Sequence, residues 1–167
     1  MLNGADGDVV LGSPDASAII AAPDSVKAWR TVGSLNHENA RPEDYYVKTG
    51  KGIMLSKSLS ARIGKAVLEK DTYADPHEDP NELPRPGKAC FPEPGVVLTF
   101  YKDNHFVDVY FCFQCNIMIV NSVWDPKKSP ELTGGQVDFD FGRAKLLRII
   151  KDVFPKDKEI QSLKNKV

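Results

Sequence analysis

Cys112-Phe113-Gln114-Cys115 is the only CxxC in the sequence, and Cys90 is the one other cysteine. Two thiols three residues apart can ligate a metal, cycle as a redox pair, or share a disulfide with a third. In a straight strand an odd offset sends the two side chains to opposite faces. A turn at Phe113-Gln114 instead leaves both at one end of a hairpin, where Cys90 arrives from the preceding loop.

Four readings of these sulfurs stay open. All three can be packing residues, because Cys is among the most buried residue types and behaves as a small hydrophobe. Cys90 can pair with Cys112 or Cys115 in an oxidising compartment. Such a bridge closes a loop of about 20 to 25 residues and stabilises by about 3 kcal/mol, mainly by restricting the unfolded chain. Three thiolates and one histidine can complete a tetrahedral zinc site, with His105 and His77 the nearest in sequence. Against zinc stands the single CxxC, where structural sites usually show two. A redox CxxC needs its first Cys at a helix N-terminus, and the surroundings here read as strand. Haem attachment is excluded, since Asn116 and not His follows Cys115.

Other chemical patterns are weaker. Asp138-Phe139-Asp140 offers paired carboxylates, but helix capping is the favoured account. Asp103, His105 and Asp108 could be a base and its orienter; without a GxSxG or any other nucleophile motif, they read as the polar end of a hairpin. Gly134-Gly135 lacks the rest of a phosphate loop. Lys156, Lys158, Lys164 and Lys166 alternate with Asp157 and Glu159 as a solvated helix end does.

The elements that position these residues follow from periodicity. Residues 1–24 are rich in Gly, Ala, Asp, Ser and Pro and read as a flexible or loosely docked arm, with Ser17 to Ala22 an apolar patch. Asp24 or Ser25 opens a short turn through Val26, Ala28 and Trp29, with Trp29 and Val32 expected to be buried. Tyr45 to Leu55 reads as one strand or a small hairpin around Thr49 to Gly52. Leu59, Ile63, Ala66 and Val67 repeat at four and three, which predicts a helix over 56–70 capped by Ser56 or Ser58. Gly64 inside it marks a close backbone contact.

Six prolines between Pro76 and Pro94 make residues 74–95 a long loop. Val96 to Lys102, Phe106 to Cys112 and Asn116 to Val120 then form an antiparallel meander with turns at Asp103-Asn104 and Phe113-Gln114. A last long helix opens at Asp138 or Asp140, presents Ala144, Leu147, Ile150 and Phe154 on one face, and stops at Pro155. Asp157 caps a short final helix carrying Ile160 and Leu163.

The fold expected is therefore α+β. A small antiparallel meander sheet packs on two or three helices, with an extended arm (1–24), a single domain (25–167) and a Pro-rich loop. The 167 residues suit one such domain, at 41% hydrophobic and 27% charged. With 22 Lys and Arg against 23 Asp and Glu, the charge of −1 argues against a nucleic-acid binder or a polybasic membrane peptide. No apolar run approaches the roughly 20 residues of a membrane span, and Met1 to Asp15 has no basic or apolar signal region. The chain reads as soluble, with a periplasmic or lipid-anchored origin open if a leader was removed.

Cys90-Phe91, Pro94-Gly95-Val96, Val107-Asp108-Val109, Cys112-Phe113-Gln114-Cys115, Asp138-Phe139-Asp140, Phe154-Pro155-Lys156-Asp157 and Ile160-Gln161-Ser162-Leu163 occur in a telling order. Over Tyr45 to Leu163 the chain resembles a group of uncharacterised bacterial proteins, often exported or lipoprotein-like. They share a C, PG, hydrophobic hairpin, CFxC, DF, FPxD, IQxL pattern. The resemblance carries no activity; it implies an exported origin, which favours a disulfide.

The function expected is a non-enzymatic binding or structural module, its cysteines structural through a disulfide or packing; the cofactor stays open between zinc and none, with none favoured, and the partner stays open, a protein being one option and nucleic acid excluded. The alternatives are a zinc-binding module with three cysteines and one histidine as ligands, and a cysteine-dependent redox or hydrolytic enzyme using Cys112 or Cys115 with His105.

Overall fold

The structure is a computed structural model that describes residues 14–33, 46–73, 79, 81, 83, 87–90, 92–123 and 136–165. Six antiparallel strands make one sheet: β1 (Ser25–Gly33), β2 (Tyr46–Met54), β3 (Val96–Lys102), β4 (His105–Cys112), β5 (Ile117–Val123) and β6 (Gln136–Asp138). Their spatial order is β2-β1-β3-β4-β5-β6. The helices are α1 (Pro14–Ala21), α2 (Lys57–Leu68), α3 (Arg143–Val153) and α4 (Lys158–Ser162), with a 3-10 turn at Lys70–Thr72. No helix among the described residues is long and apolar enough to cross a membrane.

Strand alternation sorts the sheet into two faces. Val96, Leu98 and Phe100 of β3, with Val107, Val109 and Phe111 of β4, face the helices. There they meet Ile20 of α1, Ile63 and Val67 of α2, and Leu146 and Ile150 of α3. The intervening residues Val97, Tyr110, Cys112 and Ile119 build a second, smaller apolar cluster on the opposite face. The meander pairs as its pattern demands, Leu98 opposite Val109 and Val109 opposite Val120. Asp103 takes φ +50° in the first turn and Asn116 φ +55° in the second, a left-handed conformation that Asp and Asn tolerate better than most residues.

Ser56 caps α2, its Oγ accepting from the Leu59 N–H at 3.2 Å. A Cβ on Gly64 would lie 2.7 Å from the Ile20 carbonyl oxygen, so α1 and α2 touch backbone to backbone there. Asp157 caps α4 through the Ile160 N–H at 3.0 Å.

Several expectations are corrected. Pro14–Ala21, read as part of the arm, is a helix with Ala16, Ile19 and Ile20 in the core; residues 1–13 lie outside the described residues. Ser25 to Gly33 is not a capped turn but a full strand, because its alternate residues Val26 and Ala28 bury against the helices while β2 and β3 supply pairing on both edges. Val32 is 61% exposed, since it lies beyond the helices, and Trp29 is half-buried on the far face. Of the two readings of Tyr45 to Leu55, the single strand is the one found, over Tyr46–Met54. Gly50 (φ +74°) and Gly52 (φ +68°) make a bulge within it, where the register to β1 shifts between Ala28 and Arg30. Ala144 of α3 is exposed; Leu146, Leu147, Ile150 and Val153 form the buried stripe.

The bulge has a tertiary consequence, since bulges bend and overtwist a strand. Two strands intervene between β2 and β4, yet the Tyr46 and Tyr110 rings lie 5.3 Å apart and Lys48 reaches Asp108. The β2 end of the sheet curls over the face that the helices leave open.

Candidate functional site

The β4–β5 turn carries the CxxC, and four attachments hold it. Cys90 and Cys115 form a disulfide, with Cα atoms 6.1 Å apart. Two residues before Cys90, the Lys88 ammonium donates to the Cys115 carbonyl at 2.9 Å and pairs with Asp138 at 2.8 Å and Asp140 at 2.7 Å. From the helix side, the buried Arg143 guanidinium donates to the Phe113 carbonyl, the Asn116 amide oxygen and the Lys164 carbonyl. The Phe139 N–H donates to the Asn116 carbonyl at 2.9 Å. Strand alternation explains why Cys112 stands apart: it is the last residue of β4, opposite Ile117, and is 0% exposed in the far-face cluster with its thiol unpaired.

The turn at Phe113-Gln114 thus flanks the two cysteines as the sequence implies, but only Cys115 is bridged. His105 does not join them. It opens β4, opposite Lys102, while Cys112 closes the same strand seven residues on, about 23 Å away at the rise of an extended chain. His77 lies outside the described residues. Among the described residues no group of three or more His, Cys, Asp or Glu could hold a metal ion.

Asp138 and Asp140 do not cap α3, whose N-cap is Gly142 without a side-chain bond. Asp138 instead accepts from the Asp140 N–H at 2.9 Å, the turn geometry Asp favours, and both carboxylates face Lys88. They border an open groove of about 450 Å³ with Tyr73, Ile117 and Val137. Partial burial raises the Asp140 carboxyl, but the Lys88 ammonium, the Asn116 amide and Asp138 outweigh it and hold its pKa below the ordinary value. Stability linked to a depressed carboxyl is present above its unfolded value of about 3.9 and is lost as pH falls through the lower folded one. Lys88→Ala should therefore destabilise near neutral pH by under about 1 kcal/mol, since these side chains are partly exposed. The gap to the parent should close below about pH 4. Urea melts at the two pH values check this, and a gap that persists in acid would refute the ion-pair account.

Sequence reasoning missed Arg143, because a helical arginine normally reads as solvated. It also missed a polar cluster on the open face. Asp108, expected at a polar hairpin end, is 7% exposed. Its carboxylate accepts from Lys48 Nζ at 2.9 and 3.1 Å and from the Thr99 hydroxyl. Burial, and then the Asp108 charge, push the Tyr110 hydroxyl well above its ordinary pKa. Lys48 Nζ also lies 4.6 Å from the Trp29 ring centroid, within cation–π range. Asn121, opposite Asp108 across the β4–β5 ladder, buries an amide oxygen that meets no donor among the described residues. The one available signal was alternation: Thr99, Asp108 and Asn121 interrupt apolar strands on the same face. Lys48 comes from a distant segment, which no local pattern could connect to them.

Chemically, the first site is a fastener and the second a neutralised ion pair under aromatic cover. Neither brings an exposed nucleophile to a base. No family model, curated protein or solved structure matches the chain.

Proposed function

We propose that this chain is a non-enzymatic binding or structural module whose cysteines serve the fold. One observation carries the reading: Cys115 is bridged to Cys90 while Cys112 is wholly buried, so the CxxC presents no accessible thiolate for redox or hydrolytic chemistry. The distance from Cys112 to His105 along β4 supports it further, because a base must lie within hydrogen-bond reach of its nucleophile. The disulfide and the resemblance to exported proteins fit an oxidising compartment.

The test is native thiol chemistry. Iodoacetamide at neutral pH should label the native chain slowly at Cys112 and leave Cys90 and Cys115 untouched. Reduction in denaturant should add two hydrogens to the intact mass and make all three reactive. Rapid stoichiometric labelling of Cys112 or Cys115 in the native protein would overturn the reading in favour of a cysteine enzyme.

A further inference from the structure

We propose that Cys112 is the exchange partner through which the chain sorts its own bridge: during oxidative folding Cys112 pairs with Cys115 first, and Cys90 then displaces it. The inference rests on the reading that the cysteines serve the fold, and it gives the third of them a part in building it.

The placement of the sulfurs motivates it. Cys112 and Cys115 lie in the second apolar cluster, with Cys90 packed against it. The cluster therefore holds one thiol beside one disulfide, the composition that thiol–disulfide exchange requires. Distance along the chain sets an order. The native bridge joins residues 25 apart, whereas Cys112 and Cys115 are three apart on one turn. Loop-closure entropy favours the shorter ring by on the order of tenfold in an open chain. The β4–β5 hairpin that carries the pair is local, with Cys112 opposite Ile117. Cys90 instead arrives on a strap fastened by long-range bonds, from the Tyr46 hydroxyl to the Pro92 carbonyl and from the Thr31 hydroxyl to the Pro94 carbonyl. Local contacts close faster than distant ones.

The finished fold reverses the preference. Cys90 and Cys115 have Cα atoms 6.1 Å apart, inside the range a disulfide spans. Tyr46 couples that geometry to protection of the thiol, because its ring belongs to the cluster that holds Cys112 while its hydroxyl holds the strap two residues past Cys90. Docking the strap thus delivers the attacking sulfur and completes the cluster in which Cys112, 0% exposed, is left.

Atoms and electrons balance in two steps. One thiolate of the CxxC pair attacks a disulfide oxidant such as glutathione disulfide, and the other displaces the bound half; the Cys112–Cys115 bond forms and the oxidant leaves as two thiols. The Cys90 thiolate then attacks Cys115 Sγ. The Cys90–Cys115 bond forms, the Cys112–Cys115 bond breaks, and Cys112 leaves as a thiolate that takes up a proton, with no net oxidation.

The test is oxidative refolding of the full chain, started from reduced, denatured protein in oxidised and reduced glutathione at about pH 8, where thiolates are populated. Samples quenched in acid, alkylated and digested give the bridges by peptide mass. The Cys112–Cys115 bridge should dominate the first bridged chains, with Cys90 free, and decay as Cys90–Cys115 rises. Cys112→Ala should slow formation of the native bridge by about fivefold to tenfold, yet reach the same end point. Tyr46→Phe, which removes only the hydroxyl that holds the strap, should leave formation of the early bridge unchanged and prolong its life severalfold. Direct appearance of Cys90–Cys115 with no earlier Cys112 bridge overturns the proposal, and so does a parent rate in Cys112→Ala. If that variant fails to fold, the bridges trapped in the parent chain still decide. Slow native labelling of Cys112 without the early bridge removes the exchange alone; rapid labelling removes the reading beneath it.

Discussion

Replacing Cys90 and Cys115 together by serine should lower the unfolding free energy by about 3 kcal/mol, and the melting temperature by roughly 6 to 12 °C for a chain of this size. The argument starts in the unfolded state. A bridge between residues 25 apart removes the loop conformations that the open chain would otherwise explore, and the double variant restores them. The native fold should survive, because other bonds still hold the strap that leads into β3. The Tyr46 hydroxyl donates to the Pro92 carbonyl and the Thr31 hydroxyl to the Pro94 carbonyl, and Lys88 keeps its contacts with Cys115, Asp138 and Asp140. A signature separates this entropic effect from lost packing. The denaturant m-value should rise in the double variant, because the uncrosslinked unfolded chain exposes more surface. Cys112→Ser should destabilise through a buried hydroxyl with the m-value unchanged. A melting temperature unmoved by reductant in the parent protein would sink the structural disulfide.

Lys48→Met should cost about 2 to 3 kcal/mol, while Lys48→Met combined with Asp108→Asn should recover most of the loss. Removing one partner of a buried pair leaves the other charge uncompensated, typically worth about 3 to 5 kcal/mol. Asp108 is close to that limit at 10% side-chain exposure, whereas Lys48, at 29%, admits some water where it departs. The lower figure follows. The Thr99 hydroxyl still donates to the carboxylate, but one neutral donor does not balance a charge. A double-mutant cycle in urea should give a coupling of about 2 to 3 kcal/mol between the two positions. Since Lys48 also lies over Trp29, the single variant should alter tryptophan emission in the native state. A loss below about 0.5 kcal/mol, the range of an ordinary surface substitution, would show that the curl of β2 over the open face does not depend on this pair.

The meander, α2 and its Ser56 cap, and the Asp157 cap of α4 were legible because each rests on contacts within a few residues. The Gly64 contact was legible too, since an interior glycine in a helix needs a reason. Other features failed for identifiable causes. Ser25 to Gly33 reads ambiguously alone and is a strand because β2 and β3 flank it. Pro14–Ala21 is too short and too weakly patterned to be stable as an isolated helix; its place is set by Gly64, which lets the Ile20 carbonyl approach. Asp138 and Asp140 have the composition of caps, and the ammonium of Lys88, some 50 residues earlier, claims them instead.

By itself the sequence determined the α+β class, the hairpin turns and the restriction of sulfur chemistry to three cysteines, because strand alternation, helical spacing and turn residues act through neighbours in the chain. Only the tertiary structure decided which sulfur Cys90 meets, that His105 stands at the far end of β4, and that Lys48 closes on Asp108. Those outcomes depend on the curl of the sheet and on how the helices lie across it. Both are set by long-range packing, which no window of sequence contains.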